Sequence, residues 1–261
     1  VIAGLFAPDI FVSYSALSEP IYISLIILMG YALLRWEQSH DQEAKNKCII
    51  MVGLMAILLS MTHYIGWFAN GIIAAVSLFG IIKSVYEKKK MCVSPYVFSL
   101  LASIIFPIVW SIYGFHVWKD PFHFVRTASQ YQQSYVGAMT FLERVKIPPI
   151  VFLEHLSLLG VLGLASVAYM ALWRRASVVF LLPFLGVFSM IWISTVLAYA
   201  APYQEPRYMV VFGWALLPYF AATLGDLWRA GNGGRMAATI LLAAVVAGNV
   251  MGLANFSNSF A

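Results

Sequence analysis

Apolar runs close to 20 residues long recur along the whole of this chain, and no other feature constrains its fold as strongly. A helix rises 1.5 Å per residue, so about 20 apolar residues cross the ~30 Å hydrocarbon core of a bilayer. The runs at 149–172, 176–201 and 236–254 are apolar all round. A surface helix of a water-soluble bundle keeps a polar stripe, and these runs have none. Composition agrees: of 261 residues, 62% are hydrophobic and 10% charged, where a soluble domain carries about 25% charged residues. Mean hydropathy is +0.83. We therefore expect an all-α, polytopic transmembrane helical bundle, forming a single transmembrane domain over 1–261 with one longer outer-face loop at 117–148.

The expected spans are 20–35, 48–62, 65–82, 94–116, 149–172, 176–201, 207–228 and 236–257, about eight in all. Before the first lies Ser15-Ala-Leu-Ser-Glu-Pro20. Ser18 suits an N-cap, Glu19 the first turn, and Pro20 is tolerated there. The pieces 48–62 and 65–82 read as a helical hairpin around Thr62-His63-Tyr64. Loop 117–148 is polar and aromatic-rich, and long enough to hold a short helix in the interface. The chain opens at Val1, inside an apolar stretch with no signal-peptide n-region, and we expect it to be a fragment lacking an N-terminal portion.

The net charge of +5 would suggest nucleic acid in a soluble protein. Here most bases lie in short loops, so they set topology and no nucleic-acid partner is expected. Arg35, Lys45, Lys47, Lys83, Lys88, Lys89, Lys90, Arg174, Arg175, Arg229 and Arg235 fall on one face; Lys119, Arg126, Arg144, Lys146 and Arg207 fall on the other. That is 11 of the 16 basic residues against 5. The positive-inside rule makes the first face cytoplasmic and the second outer. Cys48 and Cys92 both adjoin basic cytoplasmic loops, so no disulfide is expected.

Groups able to do chemistry gather on the outer face. Glu19 reads either as a helix-capping acid favoured by the macrodipole or as a functional acid. Asp9, after Pro8, reads equally as a turn residue. Glu205 and Arg207 flank Pro206: either a local ion pair of little value, or an arginine presenting its planar fork to phosphate. Within 117–148, aromatics alternate with Lys119, His123, Arg126, Arg144 and Lys146. That pattern is an interfacial belt with snorkelling bases, or a lid over a head group with Arg126 as phosphate ligand. His63 is a lone interfacial histidine, and Glu154 and His155 lie near the outer end of a span. No histidine spacing indicates zinc, and there is no P-loop, G-x-S-x-G or dinucleotide fingerprint.

The runs SALSEPIYISLIILMGYALLRW and LMAILLSMTHYIGWFANGIIAAVSLFG resemble the membrane core of C-type (GT-C) glycosyltransferases. That superfamily includes the dolichyl-phosphate-mannose protein mannosyltransferases and the bacterial lipid A aminoarabinose transferases. The family unit G-L-A-x-L-T-K/R-x-x-G is similar to Gly53-Leu54 … Met61-Thr62-His63-Tyr64-Ile65-Gly66, with His63 where a basic residue is usual. Pro206-Arg207-Tyr208-Met209 resembles the family's Arg-Tyr at a helix start.

The resemblance implies transfer of a sugar from a polyprenyl-phosphate-type donor to an acceptor at the outer face. It implies Glu19, with Asp9 as a further candidate, as the acid that serves the acceptor. It implies Arg207 on the donor phosphate, with Arg126, His63, Glu205 and Tyr208 as further substrate-binding candidates. No cofactor is certain, although some members use a divalent metal. The family's principal acidic motif lies upstream of the segment resembling Ser15–Trp36, so it is expected in a preceding portion or in a second membrane chain. The expected partners are thus the lipid-linked sugar donor, the bilayer and that second chain; the expected location is the plasma membrane or the endoplasmic reticulum. A transporter or flippase, or a non-catalytic membrane subunit of a complex, is the alternative.

Overall fold

A computed structural model describes residues 19–62, 66–88, 93–123, 126–127, 130, 139–197 and 206–258, with side chains described except at 19–20, 155, 157, 206–210 and 249–258. Eight long α-helices run through these residues: α1 Glu19–Gln38, α2 Gln42–Thr62, α3 Gly66–Tyr86, α4 Val93–Trp118, α5 Phe141–Leu172, α6 Leu182–Val196, α7 Pro206–Arg229 and α8 Asn232–Asn258. Each overlaps one of the eight apolar runs, and there is no strand among the described residues. By length and composition, α2, α3, α4 and Val179–Val196 are long and apolar enough to cross a membrane, and the two arms of α5 make a fifth if they form one span. The chain is an all-α integral membrane protein.

Several helix limits differ from the sequence expectation: α2 opens at Gln42 instead of 48, α3 runs to Tyr86 instead of 82, α8 opens at Asn232 instead of 236, and two further helices, α5 and α6, differ for reasons the structure shows. Helix α5 starts at Phe141 and carries Pro148 and Pro149 inside it, where the sequence read places the span at 149. Proline removes the N–H that would bond the carbonyl four residues back. For Pro149 that carbonyl is Val145 O, and the indole Nε1 of Trp192 donates to it at 3.1 Å. The outside donor lets the helix continue through the proline. Further along α5, between Glu154 and Leu158, its arms bend by 99°, beyond the reach of the prolines. The other difference is α6, shorter than 176–201. A 3-10 turn at Val179–Leu181 precedes it and Pro183 sits in its first turn, so the α-helical ladder has no donor with which to extend back to Val179.

The chain forms two compact units: Ile21–Lys146 with Val179–Tyr203, and Val1–Pro20 with Ile147–Val178 and Gln204–Ala261. In the first unit α4 packs against α2 and α3, and α3 also packs against α6. Lipid tails are as apolar as leucine, so close packing and interhelical hydrogen bonds hold such helices together. Small residues permit the approach. A Cβ on Gly53 would lie 2.9 Å from Phe98 Cε1 and 3.0 Å from Ser99 Cα, and Gly80 lies directly against the Tyr96 ring. Buried Ser77 Oγ is 3.0 Å from Ser99 Oγ. The Trp36 indole donates to the Tyr96 hydroxyl at 3.0 Å. Meanwhile Leu101, Ile105, Ile108, Val109 and Ile112 of α4 are more than half exposed. An apolar face of that extent belongs in lipid.

In the second unit α7 and α8 form an antiparallel hairpin. Its turn runs through Gly231 at φ +95°, a backbone region that glycine enters without steric cost. Gly163 lies against the Leu216 side chain, and Phe152 meets Phe212 with ring centroids 5.8 Å apart.

Candidate functional site

Glu19 is the first residue of α1 and Pro20 the second. Pro206 opens α7, with Arg207 and Tyr208 in its first turn. Glu19 and Arg207 belong to the same compact unit, α1 passing into the other unit from Ile21 onward. Both positions are helix N-termini, where free N–H groups and the macrodipole create a positive end. That end favours an acidic side chain, and it equally favours a phosphate. Asp9, His63 and Glu205 lie outside the described residues.

Arg126 stands in the other unit, just past the end of α4. Its Nη2 lies 3.1 Å from Asp120 Oδ2, and its side chain is 69% exposed. Asp120 is fixed in turn by the Phe122 N–H, which donates to Oδ1 at 3.0 Å. A guanidinium carries five donors, so this pair leaves the outward edge of Arg126 open to solvent or a ligand. Arg126 N–H donates to Phe122 O at 3.0 Å and Thr127 Oγ1 to His123 O at 3.1 Å.

Behind this turn an aromatic column climbs the outer half of α4. Phe106 stacks on Trp110, Trp110 leans on Tyr113, Tyr113 meets Trp118 edge-on, and Trp118 stacks on His123 with centroids 4.8 Å apart. His123 is thus a stacking partner of Trp118. Between this end of α4 and the turn lies an open groove of about 460 Å³, lined by Pro107, Ile108, Ser111, Ile112, Phe115, Pro121 and Phe122.

The loop then enters α5 through a capping box. Thr140 N–H and Oγ1 donate to Glu143 Oε2 at 2.7 and 2.8 Å, and Glu143 N–H returns to Thr140 Oγ1 at 3.4 Å. Glu143 is a capping acid, and Arg144 donates from Nε to Met139 O at 3.1 Å. Glu154 is exposed on α5. Among the described residues no three His, Cys, Asp or Glu side chains gather as metal donors.

No protein-family model matches this chain, and neither does any curated protein or solved structure.

Two polar groups escaped the sequence reading. Asn70 of α3 is 1% exposed, and its Nδ2 donates to Ala56 O at 2.8 Å and Ser60 Oγ at 2.6 Å on α2. Asp226, near the C-terminal end of α7, gathers three partners: Arg174 Nε at 2.7 Å, Arg229 Nη1 at 3.4 Å and the Tyr169 hydroxyl at 3.4 Å. The hydrogen bond from Arg174 to that carboxylate, then their mutual attraction, holds the guanidinium further above its ordinary range. An acid inside an apolar run is the signal that could have found Asp226. The partners could not be foreseen, being 52 and 57 residues away for Arg174 and Tyr169.

Proposed function

We propose that this chain is a membrane glycosyltransferase of the C-type kind, moving a sugar from a polyprenyl-phosphate-type donor to a hydroxyl acceptor at the outer face. The observation that carries the reading is the pair of helix starts at Glu19 and Pro206, which stand where the resemblance expects an acid and an Arg-Tyr pair. In this reaction the acceptor oxygen forms a bond to the anomeric carbon while the bond from that carbon to the phosphate oxygen breaks. The phosphate monoester leaves with the electron pair, and the acceptor proton passes to a base. Glu19 is the proposed base or acceptor-orienting group, since a positioned carboxylate removes the proton as the new bond forms. Arg207, with Tyr208 beside it and the end of α7 behind it, is the proposed ligand of the leaving phosphate, whose charge grows in the transition state. Arg126, in the other unit, is proposed by itself as a phosphate-binding group of the loop.

The test is sugar transfer from a polyprenyl-phosphate donor in proteoliposomes, comparing wild type with Glu19→Gln and Arg207→Ala. Loss of one general base or one charge-stabilising donor typically costs 10²-fold or more in rate. Full activity in both variants would remove Glu19 and Arg207 from the site.

A transporter or flippase is the second reading, favoured by the break in α5 between Glu154 and Leu158, since discontinuous helices build many transport sites. Substrate flux with no covalent product would select it.

A further inference from the structure

The basic face of the second unit carries a feature that sugar transfer at the outer face does not use. A groove of about 240 Å³ runs between α7 and α8, lined by Leu224, Gly225, Trp228, Ala238, Thr239 and Leu242. The lining is almost wholly apolar, and the Thr239 hydroxyl is already committed to Arg235 O at 2.9 Å. Two guanidinium groups stand at its mouth. Arg229 Nη2 passes 3.6 Å from where a Cβ on Gly225 would sit, and Arg235 Cζ lies 5.9 Å above the Trp228 ring. The acid nearby, Asp226, is held at 2.7 Å by Arg174 and lies at a looser 3.4 Å from Arg229. Arg174 is the closer partner of the carboxylate, and Arg229, paired to it through Nη1 alone and with its side chain 78% exposed, has further donors to offer another anion.

We propose that this groove binds an anionic glycerophospholipid of the cytoplasmic leaflet, one acyl chain lying along α7 and α8 and the head-group phosphate held between Arg229 and Arg235. Three observations select that occupant. The lining offers a soluble ligand little polar surface beyond the Thr239 hydroxyl. The two arginines present donors that match phosphate. The face is the one the basic count makes cytoplasmic, where anionic lipids attract basic residues and basic pockets between helices hold their head groups. Trp228, 53% exposed, sits between apolar groove and charged mouth, as an interfacial tryptophan does.

The test is native mass spectrometry of the whole detergent-purified chain, titrated with dioleoylphosphatidylglycerol or dioleoylphosphatidylcholine. Retention of the anionic lipid over the zwitterionic one is expected, and its apparent affinity should fall on the order of tenfold in the Arg229→Gln/Arg235→Gln double variant. Thr239→Trp fills the groove without changing charge and should reduce retention as well. Circular dichroism melts of each variant establish that the fold is kept; a variant that fails to fold is replaced by the single change Arg235→Gln, for which a smaller loss, of about threefold to fivefold, is expected. Equal retention of the two lipids by wild type, unchanged retention in the folded variants, or displacement by millimolar inorganic phosphate would overturn the proposal. Because the probes are lipids without sugar, the outcome is independent of any transferase activity.

Discussion

Asn70 is a primary amide buried in a helix bundle whose outer surface is meant for hydrocarbon. Its two donors find Ala56 O and Ser60 Oγ on the neighbouring helix, which ties α3 to α2. Membrane interhelical hydrogen bonds average about 0.6 kcal/mol and reach about 1.7. Asn70→Ala removes two such bonds and leaves Ser60 without this partner, so a loss of about 1–2 kcal/mol is expected, measured by unfolding in mixed micelles. A variant as stable as wild type would show that the amide does not clamp the hairpin. Lys119 gives the opposite sign. It ends α4 in the left-handed region at φ 57°, a conformation that disfavours residues with a Cβ. Lys119→Gly should stabilise the protein by up to about 1 kcal/mol, read in the same experiment; destabilisation would mean that the lysine charge matters more than the backbone. In the other unit, Asp226 joins Tyr169, Arg174 and Arg229, and Asp226→Asn should lower the melting temperature while Arg175→Gln, which is not among those partners, does not.

Helix positions were legible in the sequence because hydrocarbon imposes a length: each of α1 to α8 overlaps an apolar run of the expected size. Helix ends were less legible, since they depend on partners far away. Two consecutive prolines at 148–149 read as a start, yet α5 begins eight residues before Pro149, with Trp192 capping the carbonyl that Pro149 leaves free. Trp192→Phe keeps the ring and deletes the donor. It should cost about 1 kcal/mol, and local hydrogen exchange should rise in 141–149; unchanged exchange would mean that the start of α5 does not need the indole. Close helix contact likewise rests on residues that look unremarkable in sequence. Gly80 abuts the Tyr96 ring, and Gly80→Leu should destabilise by about 1–3 kcal/mol through overpacking.

For the whole molecule, each of the two compact units carries its own polar groups. The basic face gathers Arg174, Arg229 and Arg235 around Asp226 and Trp228. The helix starts at Glu19 and Pro206 belong to the same unit as these residues, and the exposed Arg126 belongs to the other. The proposed site was legible as positions: an acid before a proline at one helix start, an Arg-Tyr at another. Its completion was not, because the local pairing of Arg126 with Asp120 depends on a turn that periodicity does not encode, and Asp9, His63 and Glu205 lie outside the described residues. The central claim is that chemistry, not passage, happens at the outer face. The most direct measurement reconstitutes the chain in proteoliposomes with polyprenyl-phosphate mannose, supplies a membrane extract as acceptor, and follows both the released polyprenyl phosphate and the location of the sugar. Stoichiometric release of polyprenyl phosphate with the sugar covalently attached to acceptor is the expected result. Movement of the intact donor between leaflets with no release of polyprenyl phosphate would contradict it.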